Sequence, residues 1–463
     1  MTRYHARWVL PISTAPIADG TVVEREGRIA YVGPRADAPP ATDGPDVDLG
    51  DALLLPGLVN AHCHLELTAM RGFLDGLAFR EWILRLTHAR RAVLSYDDLL
   101  DSARLGIEEG LRSGITTFAD TGDSGSGFEA MLERGVRGIC YRETFGPDPA
   151  QCERSIAELR ERALAMRVRE TPLVRVGISP HAPYTVSDAL FRATATLARE
   201  LGVPVAVHIA ESALESELVV RGAGAFADGL RGRGVAVAPR ATSPIALLQN
   251  LGVLDVDPLL IHCVRVDDAD VRRIAEHRCG VAHCPASNAR LGHGIAPVAA
   301  LLHAGIDVGL GSDSVASNDR MDLLDEARLA LLLATAREGR IDALSASDAL
   351  DLATRGAARA LRLEREVGSL EVGKSADLAA FALGARARGP THDPVAAAVL
   401  ALAGTPATFV AVAGRPLVRD AVLLDADPAL ADRVQRAANR LRDWLATPEG
   451  ARAAVSATPT PGR

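Results

Sequence analysis

The stretch VNAHCHLEL, at 59–67, contains two histidines, His62 and His64, one residue apart inside an apolar run. In a β-strand, residues i and i+2 point to the same face about 6.5 Å apart, and both imidazoles can then bind one metal ion at about 2.0–2.1 Å. Cys63 would point to the opposite face. Two hydrogen-bonded core histidines fit the same spacing, so the interpretation of the pair depends on the residues that join it.

Two further residues that can bind a metal also close short apolar runs, and these are His208 in VPVAVHIAE and Asp313 in GLGSDS. Three imidazoles and one carboxylate, with a position left for water, form a donor set that suits Zn²⁺ or Fe²⁺ rather than Ca²⁺ or Mg²⁺, which prefer oxygen ligands. The sequence therefore predicts one divalent metal ion per subunit, with Zn²⁺ as the first choice and Fe²⁺ as the alternative.

Glu211 follows His208 at i+3 in the stretch HIAES. A continuing strand would send Glu211 to the opposite face, so the chain must turn between the two residues if both side chains serve one site. The alternative is that Glu211 opens the following helix, where a carboxylate interacts favourably with the helix dipole.

Eight apolar runs must position these residues, and each alternates with a longer amphipathic segment. Several of those segments have helical apolar spacing and end in glycine. Eight strand–helix alternations predict an α/β fold, a (β/α)8 TIM-like barrel, whose active site lies at the carboxyl ends of the strands. A doubly wound sheet would alternate similarly, but the residues at the run ends favour a closed barrel. Those ends are His62 and His64, Asp120, Glu143, His181, His208, His262, His283 and Asp313.

The two ends of the chain differ from this middle part, because both consist of short strand-like pieces separated by turn residues. We therefore predict that they form one small β-sandwich together. The predicted division is 1–55 for the N-terminal part of the sandwich, 56–363 for the barrel, 364–424 for the C-terminal part of the sandwich, and 425–463 for a C-terminal helix with a disordered tail, SATPTPGR.

Composition argues against several classes of function. The formal net charge is −8 and no basic run could follow a phosphate backbone, so we expect no nucleic-acid partner. The best apolar run, at 396–404, is too short to cross a bilayer, so we expect no membrane partner. The six cysteines include no CxxC pair, which is typical of reduced thiols in a cytoplasmic protein.

In this order, the residues resemble those of the amidohydrolase superfamily, and within it the mononuclear aminohydrolases. That group includes guanine, cytosine, S-adenosylhomocysteine and aminodeoxyfutalosine deaminases and the triazine hydrolases. The resemblance covers almost the whole chain, and it also implies a homodimer. The stretches that carry it are PGLVNAHCHLEL, SPHAPYTVS, HIAES, IHCV, AHCPASN, GLGSDS and GSLEVGKSADL.

The resemblance implies a role for each matching residue. Glu211 would shuttle protons, and His262 would polarise the substrate beside the attacking water. His181 would contact the substrate, and Asp313 would accept the water's proton in addition to binding the metal. The implied metal ligands are His62, His64, His208 and Asp313.

Other branches of the superfamily hold two metals bridged by a carboxylated lysine at the end of the fourth strand. The chain has a single lysine, Lys374, which lies beyond the predicted barrel. The sequence therefore excludes a lysine-bridged pair of metals.

Other candidates rest on position alone. Glu143, in YRETFG, could bind substrate or pair with an arginine, and Arg142 could hold an anionic group. Trp82, with Phe79 in FREWI, could stack on a flat heterocycle, although such a pair is also typical of a helix core. Glu66 could help select the substrate. Residues expected to be structural, or at the surface, are His88, His277, His283, Ser287, Asn288, His293 and His303.

The implied reaction is the hydrolytic removal of an amino group from a small heterocyclic substrate, with release of ammonia. The stretches HLEL and FREWI resemble most the aminodeoxyfutalosine deaminases of menaquinone biosynthesis, so that nucleoside is the first substrate expected. S-adenosylhomocysteine or adenosine, guanine and triazines are the alternatives. A cyclic-amide hydrolase, which would direct the same attacking water at a carbonyl carbon, is a further alternative. A non-catalytic binding barrel is disfavoured because every implied metal ligand is present.

Overall fold

The structure, a computed structural model, describes residues 1–40, 44–383 and 391–450. The predicted tail SATPTPGR lies outside the described residues. The strands of the described part are β1 (Thr2–Val9), β2 (Ile17–Arg25), β3 (Arg28–Pro34), β4 (Asp46–Asp48), β5 (Ala52–Pro56), β6 (Leu58–Cys63), β7 (Ile115–Gly122), β8 (Arg137–Thr144), β9 (Val174–Pro180), β10 (Ala206–Ile209), β11 (Leu259–His262), β12 (Gly280–His283), β13 (Val308–Leu310), β14 (Leu378–Ala382), β15 (Phe409–Val412), β16 (Arg415–Arg419) and β17 (Val422–Leu423).

Helices follow most of the central strands. The α-helices of the described part are α1 (Phe79–Val93), α2 (Tyr96–Arg112), α3 (Ser126–Arg134), α4 (Cys152–Arg167), α5 (Asp188–Leu201), α6 (Ala213–Arg221), α7 (Gly224–Arg231), α8 (Pro244–Asn250), α9 (Asp268–Glu276), α10 (Pro285–Arg290), α11 (Val298–His303), α12 (Val315–Asn318), α13 (Leu323–Glu338), α14 (Ala346–Leu352), α15 (Arg355–Ala360), α16 (Pro394–Ala401) and α17 (Leu430–Leu445). Among the described residues, no helix is both long and apolar enough to cross a membrane.

Strands β6 to β13 form the predicted barrel. The order β6-β7-β8-β9 makes one parallel four-stranded sheet, and β10-β11-β12-β13 makes a second. Parallel bridges between Ile178 and Val205, and between Cys63 and Asp313, join the two sheets on both sides. The eight strands therefore close into a ring, and the predicted (β/α)8 barrel is confirmed.

The side chains of the barrel strands alternate between two apolar clusters, as the two-residue period of a strand requires. One cluster fills the barrel with mostly small and branched residues, and the other lies between the strands and the helices. Members of the interior cluster are Val59, Ala61, Ala119, Ile139, Tyr141, Ala206, Ile261 and Ala282.

Both chain ends join in one nine-stranded sheet, in which β5 pairs with β14. The sheet bends over on itself, because the rings of Tyr4 in β1 and Phe409 in β15 have centroids only 5.0 Å apart. Two strands separate β1 from β15 in the sheet order, and a flat sheet would hold them about 14 Å apart. The prediction that the two ends build one small β domain is confirmed.

Arg137 at the start of β8 ties the barrel to this β domain. Its buried guanidinium lies 3.0 Å from Asp377 Oδ2 and 3.0 Å from Glu366 Oε2. The contact is made at the amino ends of the strands, so the carboxyl ends stay available for a site.

Candidate active site

His62 and His64 lie at the end of β6 and point into the barrel. Ala61 of the same strand belongs to the interior cluster, so strict alternation would turn His62 outward. The pairing of β6 with β7 shifts register between Asn60 and Cys63, and this irregularity brings both imidazoles to the interior face. Their ring centroids are 4.8 Å apart.

His208 in β10 and Asp313, just after β13, join these two histidines. The Nε2 atoms of His208 and His64 are 3.3 Å apart. Asp313 Oδ1 lies 3.2 Å from His62 Nε2 and 3.5 Å from His64 Nε2. The structure thus brings together the four residues predicted as metal ligands.

Two of the ring nitrogens that face one another in this group are acceptors, like the Asp313 carboxylate beside them. A carbonyl oxygen can only accept, so His64 Nδ1, which lies 2.8 Å from the Thr121 carbonyl oxygen, carries its ring hydrogen. His208 Nδ1 carries its own for the same reason, at 3.2 Å from the His181 carbonyl oxygen. Both Nε2 atoms then present lone pairs, and His62 Nε2 is buried without a hydrogen-bond partner in the part of the chain that the structure describes. A divalent cation satisfies such a set, so the residues fit a metal.

The charge state of the group suits a cation as well. Burial lowers the pKa of His62, His64 and His208, so the rings are neutral at neutral pH. Burial by itself raises the pKa of Asp313, but the contact with His62 and the neighbouring imidazoles hold it well below its usual range. The site combines neutral nitrogens with one ionised carboxylate.

Asp313 is held by hydroxyl groups. Ser287 Oγ donates to Asp313 Oδ2 at 2.5 Å, and Ser317 Oγ donates to the same oxygen at 3.2 Å. The backbone of Asp313 has φ +55°, a left-handed conformation that is costly outside glycine. This conformation and the two serines leave Oδ1 facing the histidines.

The turn that Glu211 requires is present and is built around Glu215. Ala210 has φ +51°, which reverses the chain between His208 and Glu211. The Glu215 carboxylate accepts the backbone N–H groups of Ala210, at 2.8 Å, and of Glu211, at 3.0 Å. Sequence reasoning missed Glu215, although the S-x-x-E spacing from Ser212 was a signal for a helix-start carboxylate.

Glu211 is buried between two imidazoles. Its Oε1 lies 3.6 Å from His262 Nε2 and 3.2 Å from His293 Nε2. Burial alone raises the pKa of Glu211, but the two imidazoles bring it below its ordinary value. His262 has φ +79°, and its Nδ1 is 3.0 Å from Asn288 Oδ1. The prediction for His293 needs correction, because the buried ring faces the carboxylate from a loop distant in sequence.

His181 and Glu143 line the barrel interior beside His208. The rings of His181 and His208 have centroids 4.8 Å apart, and burial lowers the pKa of His181 to about 3. Glu143 Oε1 is buried 3.8 Å from His208 Nδ1 and has no hydrogen-bond partner within the described ranges. Burial raises the pKa of Glu143 well above its usual value. Both stand where a molecule bound beside the metal ligands would meet them.

Trp82 belongs to an aromatic cluster with Phe79, Tyr184 and Phe226. Phe79 stacks on Trp82 at 6.2 Å and meets the His293 ring edge-on at 4.5 Å. Tyr184 stacks on Phe226 at 4.3 Å, and its centroid lies 5.7 Å from that of His181. Phe79 and Tyr184 therefore link the cluster to the site, and Trp82 packs against Phe79 in α1.

Asp120, at the end of β7, turns away from the barrel axis. Its Oδ1 accepts the backbone N–H of Leu65 at 2.8 Å, and its other oxygen faces Cys140 Sγ at 3.9 Å. The neighbouring Thr121 faces inward, with Oγ1 3.2 Å from His64 Nδ1. The period of two along β7 explains why the residue next to the predicted one enters the site.

Glu66 is buried in an ion pair instead of facing a ligand. Its Oε1 lies 2.6 Å from Arg90 Nη2, and Arg90 also pairs with Asp123 at 2.5 Å. Arg142 lies nearby, and its buried Nε has no hydrogen-bond partner in the residues that the structure covers. This group fixes α1 against the loop that follows β7.

The model of the amidohydrolase family matches residues 53–417. The chain belongs to the amidohydrolase family. The resemblance seen in the sequence is thereby confirmed, and this amidohydrolase is a hydrolase that acts on carbon–nitrogen bonds other than peptide bonds.

Two comparisons cover almost all of this amidohydrolase. A protein of Moorella thermoacetica named 5-methylthioadenosine/S-adenosylhomocysteine deaminase is 34% identical over 437 residues, which are 92% of this chain and 97% of that protein. A crystal structure of an adenosine deaminase from Xanthomonas campestris with bound zinc superimposes with a TM-score of 0.84 at 30% identity, covering 96% of this chain and 98% of that one.

An aminofutalosine deaminase from Helicobacter pylori, solved with methylthio-coformycin, has a TM-score of 0.76 at 20% identity, covering 90% of this chain and 100% of that one. At that identity the likeness concerns the fold alone. The expected substrate aminodeoxyfutalosine therefore stays a prediction.

Proposed function

We propose that this amidohydrolase is a hydrolytic deaminase of adenine nucleosides, with 5-methylthioadenosine and S-adenosylhomocysteine as its substrates. The observation that carries the proposal is the placement of Glu211, a buried carboxylate between His262 and His293 beside the predicted metal ligands. A carboxylate so placed can move a proton between a water molecule and a ring nitrogen. The names of the Moorella and Xanthomonas proteins support an adenine nucleoside.

Zinc is the metal we propose for the four ligands His62, His64, His208 and Asp313, and the zinc in the Xanthomonas structure supports this choice. When bound, such an ion lowers the pKa of water from 15.7 to about 7 and so supplies hydroxide near neutral pH. Hydrogen bonds within the chain orient these side chains for metal binding. Backbone carbonyls fix the tautomers of two rings, and two serines hold the Asp313 carboxylate.

The protons move through the residues of this chain. Glu211 takes a proton from the attacking water and gives it to the ring nitrogen next to the amino-bearing carbon. His262 faces the reacting carbon from β11, oriented by Asn288 Oδ1 at 3.0 Å from its Nδ1. His181 is neutral because burial lowers its pKa to about 3, so it offers a hydrogen bond to the substrate without a charge. As the C–N bond breaks and the C=O bond forms, the remaining O–H proton of the added water passes to the amino group, which leaves as ammonia.

The test is an ammonia-release assay on the zinc-loaded enzyme. The panel contains 5-methylthioadenosine, S-adenosylhomocysteine, adenosine, aminodeoxyfutalosine, guanine, a triazine and a cyclic amide. We expect the first two nucleosides to be turned over with the highest kcat/KM. A preference for aminodeoxyfutalosine would return the assignment to the first prediction, and ring opening of the cyclic amide without ammonia release would contradict a deaminase.

A pair of variants tests the proton shuttle within the same assay. Glu211→Gln removes the titratable oxygen and should lower kcat on the order of 10²–10⁴-fold. Glu217→Gln is the matched control, because Glu217 pairs with Arg221 on the outer side of α6. Equal activity of the two variants would exclude Glu211 as the shuttle.

A further inference from the structure

His293 is a buried imidazole that the proposed reaction does not yet use. It lies in the loop between α10 and α11, is 6% exposed, and points Nε2 at Glu211 Oε1 from 3.2 Å. At that distance Nε2 makes no aligned hydrogen bond, and it has no hydrogen-bond partner among the described residues. Hydrogen bonds of catalytic groups are often misaligned without substrate and tighten in the complex, and the short distance between Nε2 and Oε1 allows such a bond to form.

The loop is built to deliver this ring. The backbone N–H of His293 donates to the Asn288 carbonyl oxygen at 2.9 Å. Gly292 and Gly294 flank it with φ +73° and +109°, conformations that other residues rarely adopt. The edge-on contact with Phe79 holds the ring on its other side.

Asn288, which accepts the backbone N–H of His293, lies in α10 and also orients His262. It supplies a side-chain oxygen to His262 and a backbone oxygen to His293, so one residue places both imidazoles that face Glu211. Both approach the same carboxylate oxygen, Oε1, at 3.6 Å and 3.2 Å. The other oxygen, Oε2, is thereby left for a bound molecule.

We propose that His293 is a positioning residue for the proton shuttle. It donates its Nε2–H to Glu211 Oε1 and fixes the carboxylate so that Oε2 faces the substrate ring. Oε2 then takes a proton as an O–H bond of the attacking water breaks, and the same proton forms the new N–H bond on the ring nitrogen. Glu211 returns to its carboxylate form, and no further reactant is needed. The inference rests on the proposed function.

A packing role for His293 predicts a different outcome, which two variants distinguish. His293→Phe keeps a flat ring against Phe79 but has no donor, whereas His293→Gln keeps an N–H donor at similar reach. We expect His293→Phe to lower kcat by about 10–100-fold with KM changed less than about threefold. His293→Gln should restore kcat to within about fivefold of the wild-type enzyme. Bound zinc and Tm should be alike in both variants.

Unchanged kcat in His293→Phe would overturn the proposal. An equal loss of kcat in both variants would also overturn it, because the N–H donor that His293→Gln retains would then not be what His293 contributes to the reaction. If kcat and Tm fell together in both variants, His293 would have a packing role alone.

A second measurement does not depend on turnover. In zinc-loaded protein labelled with ¹⁵N in its histidine rings, the signal missing from His293→Gln identifies His293. We expect its Nε2 to carry the hydrogen and its signal to shift in Glu211→Gln but not in Glu217→Gln. A signal from an unprotonated Nε2, or one that Glu211→Gln does not move, would contradict the contact. Absence of ammonia release by the wild-type enzyme would instead contradict the proposed function, and the spectra would still decide the contact.

Discussion

The two halves of the barrel place their polar residues by different means. Strands β6 to β9 are 6, 8, 8 and 7 residues long, whereas β10 to β13 have 4, 4, 4 and 3 residues. Over 58–180, all of which the structure describes, only glycines have positive φ. In the second half, Ala210, His262 and Asp313 all have positive φ near the strand ends.

In the first half, regular strands carry His181 and Glu143 into the barrel, and the second of two register shifts between β6 and β7 re-aims His62 and His64. In the second half, left-handed residues at the end of short strands or just past it turn Glu211, His262 and Asp313 to the axis. Such conformations cost of order 1–3 kcal/mol each and persist only when neighbours hold them. Those neighbours are Glu215, Ser287, Asn288 and Ser317.

The largest effect should come from Asp313, which with His208 makes up the second half's share of the predicted metal ligands. Asp313→Ala removes the only carboxylate of the predicted metal set, and we expect loss of zinc and a fall in kcat of at least about 10³-fold, because hydroxide is no longer supplied at neutral pH. Zinc analysis and the ammonia assay measure both. Asp342→Ala, which changes an exposed aspartate paired with Arg340, is the control. Full zinc occupancy in Asp313→Ala would show that the histidines suffice.

The support of the second half can be tested without touching a ligand. Glu215→Gln leaves one of two buried backbone N–H groups, of Ala210 or Glu211, without an acceptor. We expect a loss of about 1–3 kcal/mol in the free energy of unfolding and about 10²-fold in kcat, since Glu211 shifts. Urea unfolding and initial rates, with Glu217→Gln as the control, are the measurements. Full activity of Glu215→Gln would show that the turn at Ala210 does not depend on the Glu215 carboxylate.

Where the halves meet, Gly311 lies against His62. A Cβ on Gly311 would come within 2.8 Å of His62 Cβ and 2.9 Å of its carbonyl oxygen. Gly311→Ala should therefore separate β13 from β6 and weaken zinc binding by about 10–100-fold. Competition with a chelator measures the affinity, and Gly232→Ala, at a position with ordinary contacts, is the control. Unaltered zinc affinity would mean that β13 and β6 accommodate the added methyl group without moving His62.

The smallest effect concerns acid stability. Burial and the charge of His262 lower the pKa of His283 to about 4 in the folded protein. The unfolded chain, with an ordinary pKa of about 6.5, then binds a proton that the folded protein does not, so stability is lost as pH falls from 6.5 toward 4. The loss is about 2 kcal/mol at pH 5. His283→Gln should lose less stability than the wild-type enzyme between pH 7 and pH 5 in urea unfolding. Equal losses of stability in the two proteins would show that groups other than His283 cause the acid sensitivity.

The first half was the easier one to predict. His62, His64, Glu143 and His181 sit at or near strand ends where the apolar pattern stops, and a barrel sends such residues to one face. Asp120 shows the limit of that argument, because a shift of one position along β7 exchanges the inward residue for Thr121. Face assignments along a strand depend on register, which the pattern of apolar residues does not resolve to a single residue.

The second half was predictable in residue type but not in geometry. His208, His262 and Asp313 followed from the run ends, and the need for a turn before Glu211 followed from the i+3 spacing. The S-x-x-E spacing marks Glu215 as a helix-start carboxylate but does not show that it holds the turn, and no pattern in the sequence indicated that His293 meets Glu211. His293 is separated from Glu211 by 82 positions in the chain, and two glycines and a backbone hydrogen bond set its position.

The sequence by itself determined the barrel, the β domain of the two ends, the donor types for one metal and the absence of a lysine bridge, because each depends on residue type and period along the chain. Only the tertiary structure decided which atoms face one another. Carbonyls fix the tautomers of His64 and His208, and left-handed turns aim Glu211 and Asp313. Those outcomes depend on contacts between segments far apart in sequence, since each strained or buried group is held by partners that local patterns do not identify.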